Sequence, residues 1–561
     1  MQQSYENGIP IVVGVVGHRK IAENDRTALR EAFALTLREL AERHPNSSIL
    51  IATGLAEGSD RLAAEVGLEL NHDLLALSPL PQLEYELDFP ASISEYRELR
   101  EKAKYKYDFD ALKLATDKQY SDRDSQYALL GRFLSLNCHY LVAFWDGIDS
   151  NLEGGTSAVI GYRLGRIAPR AEIDAALGLT TDWVEPNETG PVIHIYTRRG
   201  NDEGDSARVG HKRIILPPWA SESSLGEEFF NQTFGIQDKL NRRLKRYKML
   251  LGLASNASRK QLLPNNQASI YADMFSKVDA ATNQYQRLSR WTLGAMVFLG
   301  LTALFFYSTY SDGVILSPKV ALTAYALVMA FAWFLFASLL RPRNWQDASL
   351  EYRALAEALR IQFYWRQANL SLNVADHFLR KQRDDLTWIR FALRGCYCLA
   401  VGTAPAPASA STPTFTHDWI VGQTRYFEKA SMRDERRLDI GQSIVRLVLA
   451  LTFVIIFVQL AVLWGTFDLS SKPMSWLVFL SGLGPAIVAV ISYVVETENL
   501  EAHVNQYQRM RQIFRHSEIK LGEADNADLT RQVLVTLGKQ ALSENGEWVS
   551  AHKIRRIQPN V

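Results

Sequence analysis

Cysteine is scarce in this chain. Its 561 residues include three, Cys138, Cys396 and Cys398, and no CxxC pair. That excludes a disulfide framework and points to a reducing compartment for the soluble parts. Cys396 and Cys398 fit either a metal or redox pair or two buried thiols, the commoner fate of free cysteine. An excess of one charge is also missing. Lys+Arg 62 against Asp+Glu 61 leaves a net charge of +1, which removes the electrostatic case for a nucleic-acid partner. The opening MQQSYENG has neither a basic region nor an apolar stretch, so no signal peptide is expected. Mean hydropathy is only −0.11, but long polar helices dilute that average, and long apolar runs are present.

Four such runs stand out: Trp291–Tyr310, Val320–Leu340, Leu447–Trp464 and Trp476–Val495. Each approaches the ~20 residues a helix needs to cross hydrocarbon, and none carries an interior charge. Trp291, Trp464 and Trp476 lie at their ends, where indole favours the membrane interface. Buried core helices of a large soluble protein are the alternative; length and lack of charge favour spans. The runs pair into two hairpins with short inner loops, SDGVILSPK and GTFDLSSKP, while Arg287, Arg290, Arg341, Arg343 and Arg446 flank them outside. The positive-inside rule then places both termini in the cytoplasm of a multi-pass inner-membrane protein. Amphipathic stretches precede and follow each hairpin, so one architectural unit occurs twice, separated by the linker GTAPAPASASTPTFT.

Residues 9 to about 200 alternate strand and helix. IPIVVGVVG, SSILIATG, DLLALSPL, HYLVAFWDG and PVIHIYT read as buried strands, and residues 24–43 and DRLAAEVGLEL as helices. This rhythm predicts a Rossmann-like α/β domain with a parallel sheet and helices on both faces. RRGNDEGDSARVG reads as a loop, and residues 225–290 as a polar helical connection to the membrane.

Three motifs fall at strand ends, where open α/β sheets bind ligands. In Gly14-Val15-Val16-Gly17-His18-Arg19, Gly17 permits close approach of backbone to ligand and Arg19 can fork onto a phosphate; a plain turn is the alternative. In Thr53-Gly54-Leu55-Ala56-Glu57-Gly58-Ser59-Asp60-Arg61, two glycines end a strand and Ser59 and Asp60 open a helix whose N–H groups suit an anion, although Asp60 also fits a helix cap. Gly154-Gly155-Thr156-Ser157 again suits a phosphate or a simple cap.

Taken together, the GHR, TGLAEGSDRLAAE and GGTS elements resemble the SLOG superfamily, which includes DprA and the Lonely-guy enzymes. That resemblance covers roughly residues 9–200. It implies a Rossmann-like fold and a nucleotide-derived ligand at Gly17, His18, Arg19, Thr53, Gly54, Glu57, Gly58, Ser59, Asp60, Gly154, Gly155, Thr156 and Ser157. The phosphoribohydrolase members carry a glutamate after their GGxGT motif, where this chain has Val159 and Ile160. Glu57, Asp60 and Glu153 remain close in the motifs, yet the missing acid favours binding over turnover, so no catalytic residue, metal or cofactor is expected.

ALAEALRIQFYW and ADHFLRKQRDDLTWIR, following the first hairpin, resemble the two-helix SLATT membrane effectors, over about 270–395 and more loosely 420–525. That implies a bacterial antiphage effector in which a nucleotide second messenger opens a pore or disrupts the bilayer. The expected organisation is a nucleotide-binding domain over 1–225, a first membrane module over 226–400, the linker 401–417 and a second module over 418–561. Four helices are too few for a wide pore, so a homo-oligomer is expected. Gln459 either lines that pore or bonds a neighbouring helix. Gly482, Gly484 and Pro485 form either a gating hinge or a packed kink. Ala326 and Ala330 permit close helix packing. Lys239, Arg242, Arg243, Lys245, Arg246 and Lys248 form either a lipid-headgroup site or a solvated helix face.

Overall fold

The computed structural model describes residues 8–554 except 110–122, 151, 153, 180–188, 201–203, 223–225, 247–268, 313–315, 338–344, 371, 379–382, 403–411, 466–470, 499 and 525. Glu153, Lys248, Arg341, Arg343 and linker residues 403–411 therefore lie outside the described residues. Two compact units divide the chain: Met1–Ala281 with Glu351–Thr412 and Gly538–Gly546, and Thr282–Leu350 with Pro413–Leu537 and Glu547–Val561.

In the first unit the apolar, β-branched runs form strands because a strand buried on both faces needs no polar side. The strands are β1 (Ile11–Gly17), β2 (Ile49–Thr53), β3 (Asp73–Ser78), β4 (Tyr105–Asp108), β5 (Tyr140–Trp145), β6 (Val192–Tyr196) and β7 (Lys212–Ile215). They form one sheet of order β4-β3-β2-β1-β5-β6-β7. Every pairing is parallel except β6 with β7, which is antiparallel. Ile11 faces Ile49, and Val13 faces Tyr140. The chain winds outward from β1 to β4 and then returns to place β5 on the other side of β1. The β1/β5 boundary is thus the topological switch point, where a crevice opens beyond the carboxyl ends of the strands.

The helices of this unit, in chain order, begin with α1 (Arg26–Arg43), α2 (Ser59–Glu69), α3 (Ile93–Lys102), α4 (Arg123–Asn137) and α5 (Thr156–Leu164), followed by α6 (Ala171–Ala176) and α7 (Gly226–Arg246). Leu29, Phe33 and Leu37 of α1, Leu62 and Val66 of α2, and Tyr96 of α3 share one buried cluster with Ile11, Val13, Ile51 and Ala76 of the sheet. Right-handed crossovers put α4 and α5 on the opposite face, where Gly131 packs against Val159.

The connection 225–290 does more than link. Side chains of α7 close the amino-terminal edge of the sheet. Asn241 accepts from the Ile9 amide at 3.0 Å and donates back to the Ile9 carbonyl at 2.8 Å. Gln237 donates to the Pro10 carbonyl at 3.0 Å, and Asp238 accepts from the Asn46 amide and the Ser47 hydroxyl. His139 accepts from the Val12 amide through Nδ1 and contacts Gln237 through Nε2. Burial lowers its pKa to about 3, so the ring is neutral, with Nε2 donating to Gln237.

Four more helices, continuing the numbering, are α8 (Ile270–Asp312), α9 (Pro318–Leu335), α10 (Trp345–Gln367) and α11 (Arg383–Val401). Phe391 of α11 stacks edge-on with Phe234 of α7 at 4.9 Å, and Arg394 pairs with buried Asp376 at 2.7 Å. The three cysteines are all buried and free. Burial raises each thiol, Cys396 to about 12, as expected of packed thiols rather than a redox pair.

The chain ends in α12 (Thr412–Leu463), α13 (Ser471–Thr497), α14 (Leu500–Gly522) and α15 (Ala527–Ile554). Among the described residues, four helices are long and apolar enough to cross a membrane, within Ile270–Ser311, Pro318–Leu335, Trp419–Leu463 and Pro473–Gly522. Their large side chains face outward: Trp333 is 72% exposed and Phe457 68%. An apolar surface of that extent needs lipid or another chain over it. These helices are not buried in a core of this chain, and four candidate spans suggest a multi-pass membrane protein. At 1.5 Å per residue, α12 is roughly 78 Å long, more than twice a bilayer core of about 30 Å.

The spans pack in pairs. Tyr307 and Tyr325 approach to 5.7 Å in the first pair. In the second, Gln459 Nε2 donates to Ser481 Oγ at 3.1 Å, so its amide bonds a neighbouring helix. Gly484 lies against Thr452; a Cβ there would sit 3.2 Å from Thr452 Cβ and closer still to its hydroxyl. Helix α13 runs unbroken through Pro485. Phe305 and Phe479 join the two pairs at 5.9 Å.

The Asn241–Ile9 exchange predicts a large effect from one substitution. Asn241→Leu leaves the buried Ile9 amide without its partner and the Ile9 carbonyl with only the longer bond from Gln237, at 3.4 Å, and should cost about 1–3 kcal/mol, read as a lower thermal midpoint of the purified protein.

Candidate functional site

The three glycine motifs converge at the switch point. His18, just past β1, ties it together. Its amide donates to the Phe144 carbonyl at 3.2 Å, and its carbonyl accepts both the amide and the hydroxyl of Ser59, at 3.1 and 3.0 Å. Its Nε2 accepts from the Asp146 amide at 3.0 Å. One residue thus joins β1, the start of α2 and the end of β5.

Glycine is required here by the chain itself. A Cβ on Gly17 would lie 2.5 Å from Ser59 Cβ and 2.7 Å from Phe144 Cβ. Gly58 has φ +80, and a Cβ there would lie 2.6 Å from the His18 carbonyl oxygen. Gly54 faces Leu130 at 2.9 Å, and Gly154 faces Tyr127 Cβ at 2.6 Å. Gly155 faces Ser150 Oγ at 2.8 Å. Gly147, which sequence reading left aside, has φ +89 and open space around it.

Beneath the second motif lies Asp60. Its buried carboxylate takes hydrogen bonds from the Thr53 side chain and from the Ala56 and Gly54 amides, with the Arg19 charge nearby. Desolvation outweighs these and lifts its pKa to about 7. Tyr85 donates to the Gly54 carbonyl at 3.0 Å. Glu57 accepts from the Ser92 hydroxyl, which turns its carboxylate toward the 90–92 turn. Arg61 is buried, donating to the Leu55 carbonyl at 3.2 Å and pairing with Glu95 at 2.6 Å.

In the third motif Ser157 is buried, its hydroxyl accepting from the Ser150 amide at 2.9 Å and thereby tying Ser150 to the first turn of α5. Thr156 and Gly155 remain half-buried at the start of α5. Gly155 is the N-cap and supplies no capping side chain, as is also true of Gly58 before α2. Both helix starts consequently direct positive dipole ends to this edge of the sheet. Val159 and Ile160 are buried in the α5 core.

Five residues that the motifs do not single out join the site. Asp146, at the end of β5, pairs with Arg199 at 2.8 Å and lies 3.5 Å from His18 Nε2. Asp88 accepts from Arg123 and from the Tyr127 hydroxyl, with Arg19 3.8 Å away. The Arg19 guanidinium sits 4.9 Å from the Tyr127 ring centroid, close enough for a cation–π contact. These residues come from separate elements at spacings no motif describes; the Arg123 and Tyr127 pair at the start of α4 was the only sequence signal available. Arg19 itself is 48% exposed, so its charge reaches solvent.

The basic residues of α7 divide. Lys239, Arg242, Lys245 and Arg246 are exposed, whereas Arg243 donates to the Tyr352 hydroxyl at 2.6 Å. Among the described residues no cluster of metal-binding side chains is present. The fold defines a mostly parallel α/β domain with its switch point between β1 and β5, carried on a chain with four candidate membrane spans. No protein-family model matches the chain, and neither a curated protein nor a solved structure matches it significantly.

Two outcomes test this geometry. Gly58→Ala must place a side chain at positive φ against the His18 carbonyl and should cost about 2–4 kcal/mol, seen in thermal melting. Asp60, with its folded pKa raised to about 7, keeps its proton where the unfolded chain has lost it. Its contribution to stability is present below the ordinary carboxylate range and is lost as pH rises through about 7. The thermal midpoint should therefore fall between about pH 4 and 7 and level off above that, and Asp60→Asn should flatten that slope.

Proposed function

We propose that this chain is a nucleotide-sensing membrane effector. The observation that carries the reading is the exposed Arg19 guanidinium at the mouth of a switch-point cleft, in a chain that also has four candidate spans. The cleft edge gathers two helix starts without capping side chains, and such ends favour phosphate. The SLOG and SLATT resemblances fit this combination. They supply the setting of antiphage defence and the ligand class, a nucleotide-derived second messenger bound without a metal or cofactor. Arg19, Gly58, Gly155 and Thr156 are the contacts nearest the open cleft; Thr53, Ser59 and Ser157 hold the loops that present them. Nucleic acid is not a partner, as the charge balance argues.

In this reading the arginine-rich flanks hold both termini on the cytoplasmic side of the inner membrane, the chains form a homo-oligomer, and the hairpins open a pore or disrupt the bilayer. Ligand binding shifts a pre-existing equilibrium, and only by its differential affinity for the two states. The test is dye and ion flux from liposomes containing the purified protein against a panel of nucleotides. Flux triggered by one nucleotide and reduced at least tenfold in Arg19→Ala is expected. Binding without flux overturns the effector reading.

A membrane-anchored nucleotide-processing enzyme is the second reading, favoured by one observation. Asp60 titrates near neutrality, in the range of a general acid. Product formed from a nucleotide by the full-length protein, and lost in Asp60→Asn, would favour it.

A further inference from the structure

Asp88 ends a short turn, Glu86–Asp88, that rims the cleft. Its two carboxylate oxygens gather donors from two other elements. Arg123, the first residue of α4, binds Oδ1; the Tyr127 hydroxyl, one helical turn later, binds Oδ2. Arg19, two residues past β1, brings its Nη2 to 3.8 Å of Oδ2. The same Arg19 guanidinium lies over the Tyr127 ring, and Arg123 reaches a second carboxylate, Glu84, at 3.1 Å.

Two guanidinium groups and a phenol converging on one anion form a set of donors that suits phosphoryl oxygens as well as carboxylate. The side chains of Arg19 and Arg123 are about half exposed, whereas that of Asp88 is largely covered by them. Asp88 thus sits where an anion would sit, held by groups that solvent and a ligand can reach. We infer that Asp88 is a built-in competitor occupying a phosphoryl subsite made by Arg19, Arg123 and Tyr127, and that the activating ligand displaces it. This inference rests on the reading of the cleft as an anionic-ligand site, and extends it in two respects. It adds Arg123 and Tyr127 to the ligand contacts. It also specifies a ligand with a phosphoryl group of charge near −2, able to outcompete a single carboxylate for both arginines. A neutral nucleoside would leave Asp88 in place, so charge on the phosphoryl group becomes the selectivity filter.

Displacement costs the ligand the Asp88 contacts, so removing the carboxylate should tighten binding. The experiment is isothermal titration of the full-length protein in detergent with inorganic pyrophosphate, with sulfate as a second anion. Asp88→Asn keeps the shape and removes the charge. Pyrophosphate affinity is expected to rise about tenfold in Asp88→Asn and to fall about tenfold in Arg123→Ala, with thermal melting confirming that each variant is folded. Should Asp88→Asn fail to fold, Arg123→Ala and Tyr127→Phe still decide the matter, since both must weaken binding. Unchanged or weaker affinity in folded Asp88→Asn, or unchanged affinity in Arg123→Ala, overturns the inference while Arg19→Ala still weakens binding and the cleft reading stands. If Arg19→Ala also leaves pyrophosphate affinity unaltered, the cleft reading falls, and the inference with it.

Discussion

The close approach of β1 to α2 and β5 at Gly17 and His18 governs the whole carboxyl edge of the sheet. With hydrogen in place of a side chain at Gly17, Ser59 and Phe144 come within contact of the backbone. The His18 carbonyl can then take two bonds from Ser59, and its ring can take the Asp146 amide. Those bonds fix where α2 starts and where the β5 loop leaves, and hence the floor of the crevice. Buried polar groups such as Ser59, Asp60 and His18 are tolerated in it because they find partners in this lattice. Only what the lattice does not use, above all Arg19, is left to face solvent.

The legible part of the fold was the part whose burial dictates composition. Strands β1, β2, β3, β5 and β6 announce themselves as apolar runs, and the parallel sheet follows from their rhythm. Strands β4 and β7 are edge strands. Their sequences, YKYD and KRII, carry the charge and polarity that protect an edge, so they do not read as buried strands. The helix faces were legible as amphipathic, but a period of 3.6 says only that a face is buried, not what covers it. That is why the docking of Gln237 and Asn241 on Ile9 and Pro10 had no signal. In the site, the glycine motifs marked the right edge of the sheet. Gly17 and Gly58 turn out to be required by the chain's own crowding, a demand indistinguishable in sequence from that of a ligand. Asp88, Arg123 and Tyr127 meet only through tertiary structure.

The second unit follows a different economy of polar groups. Along the candidate spans the outward positions are mostly apolar, and some polar side chains are turned between helices, as with Gln459 on Ser481 and Thr452 beside Gly484. Between membrane helices a single amide–hydroxyl bond contributes about 0.6–2 kcal/mol. Packing of small residues must therefore carry much of the pairing, which accounts for glycine and threonine meeting face to face. The unbroken course of α13 through Pro485 fits the same picture: neighbouring helices can re-satisfy the backbone groups that proline frees.

Burial of all three thiols has a practical side. Cys138, Cys396 and Cys398 are shielded from solvent, and their desolvation holds them in the unreactive protonated form. The native chain is thus chemically silent toward maleimides while it stays folded. A single cysteine introduced at an exposed position on the cleft rim or on a span would be the one site a fluorophore or spin label could find, with no need to strip the wild-type cysteines first.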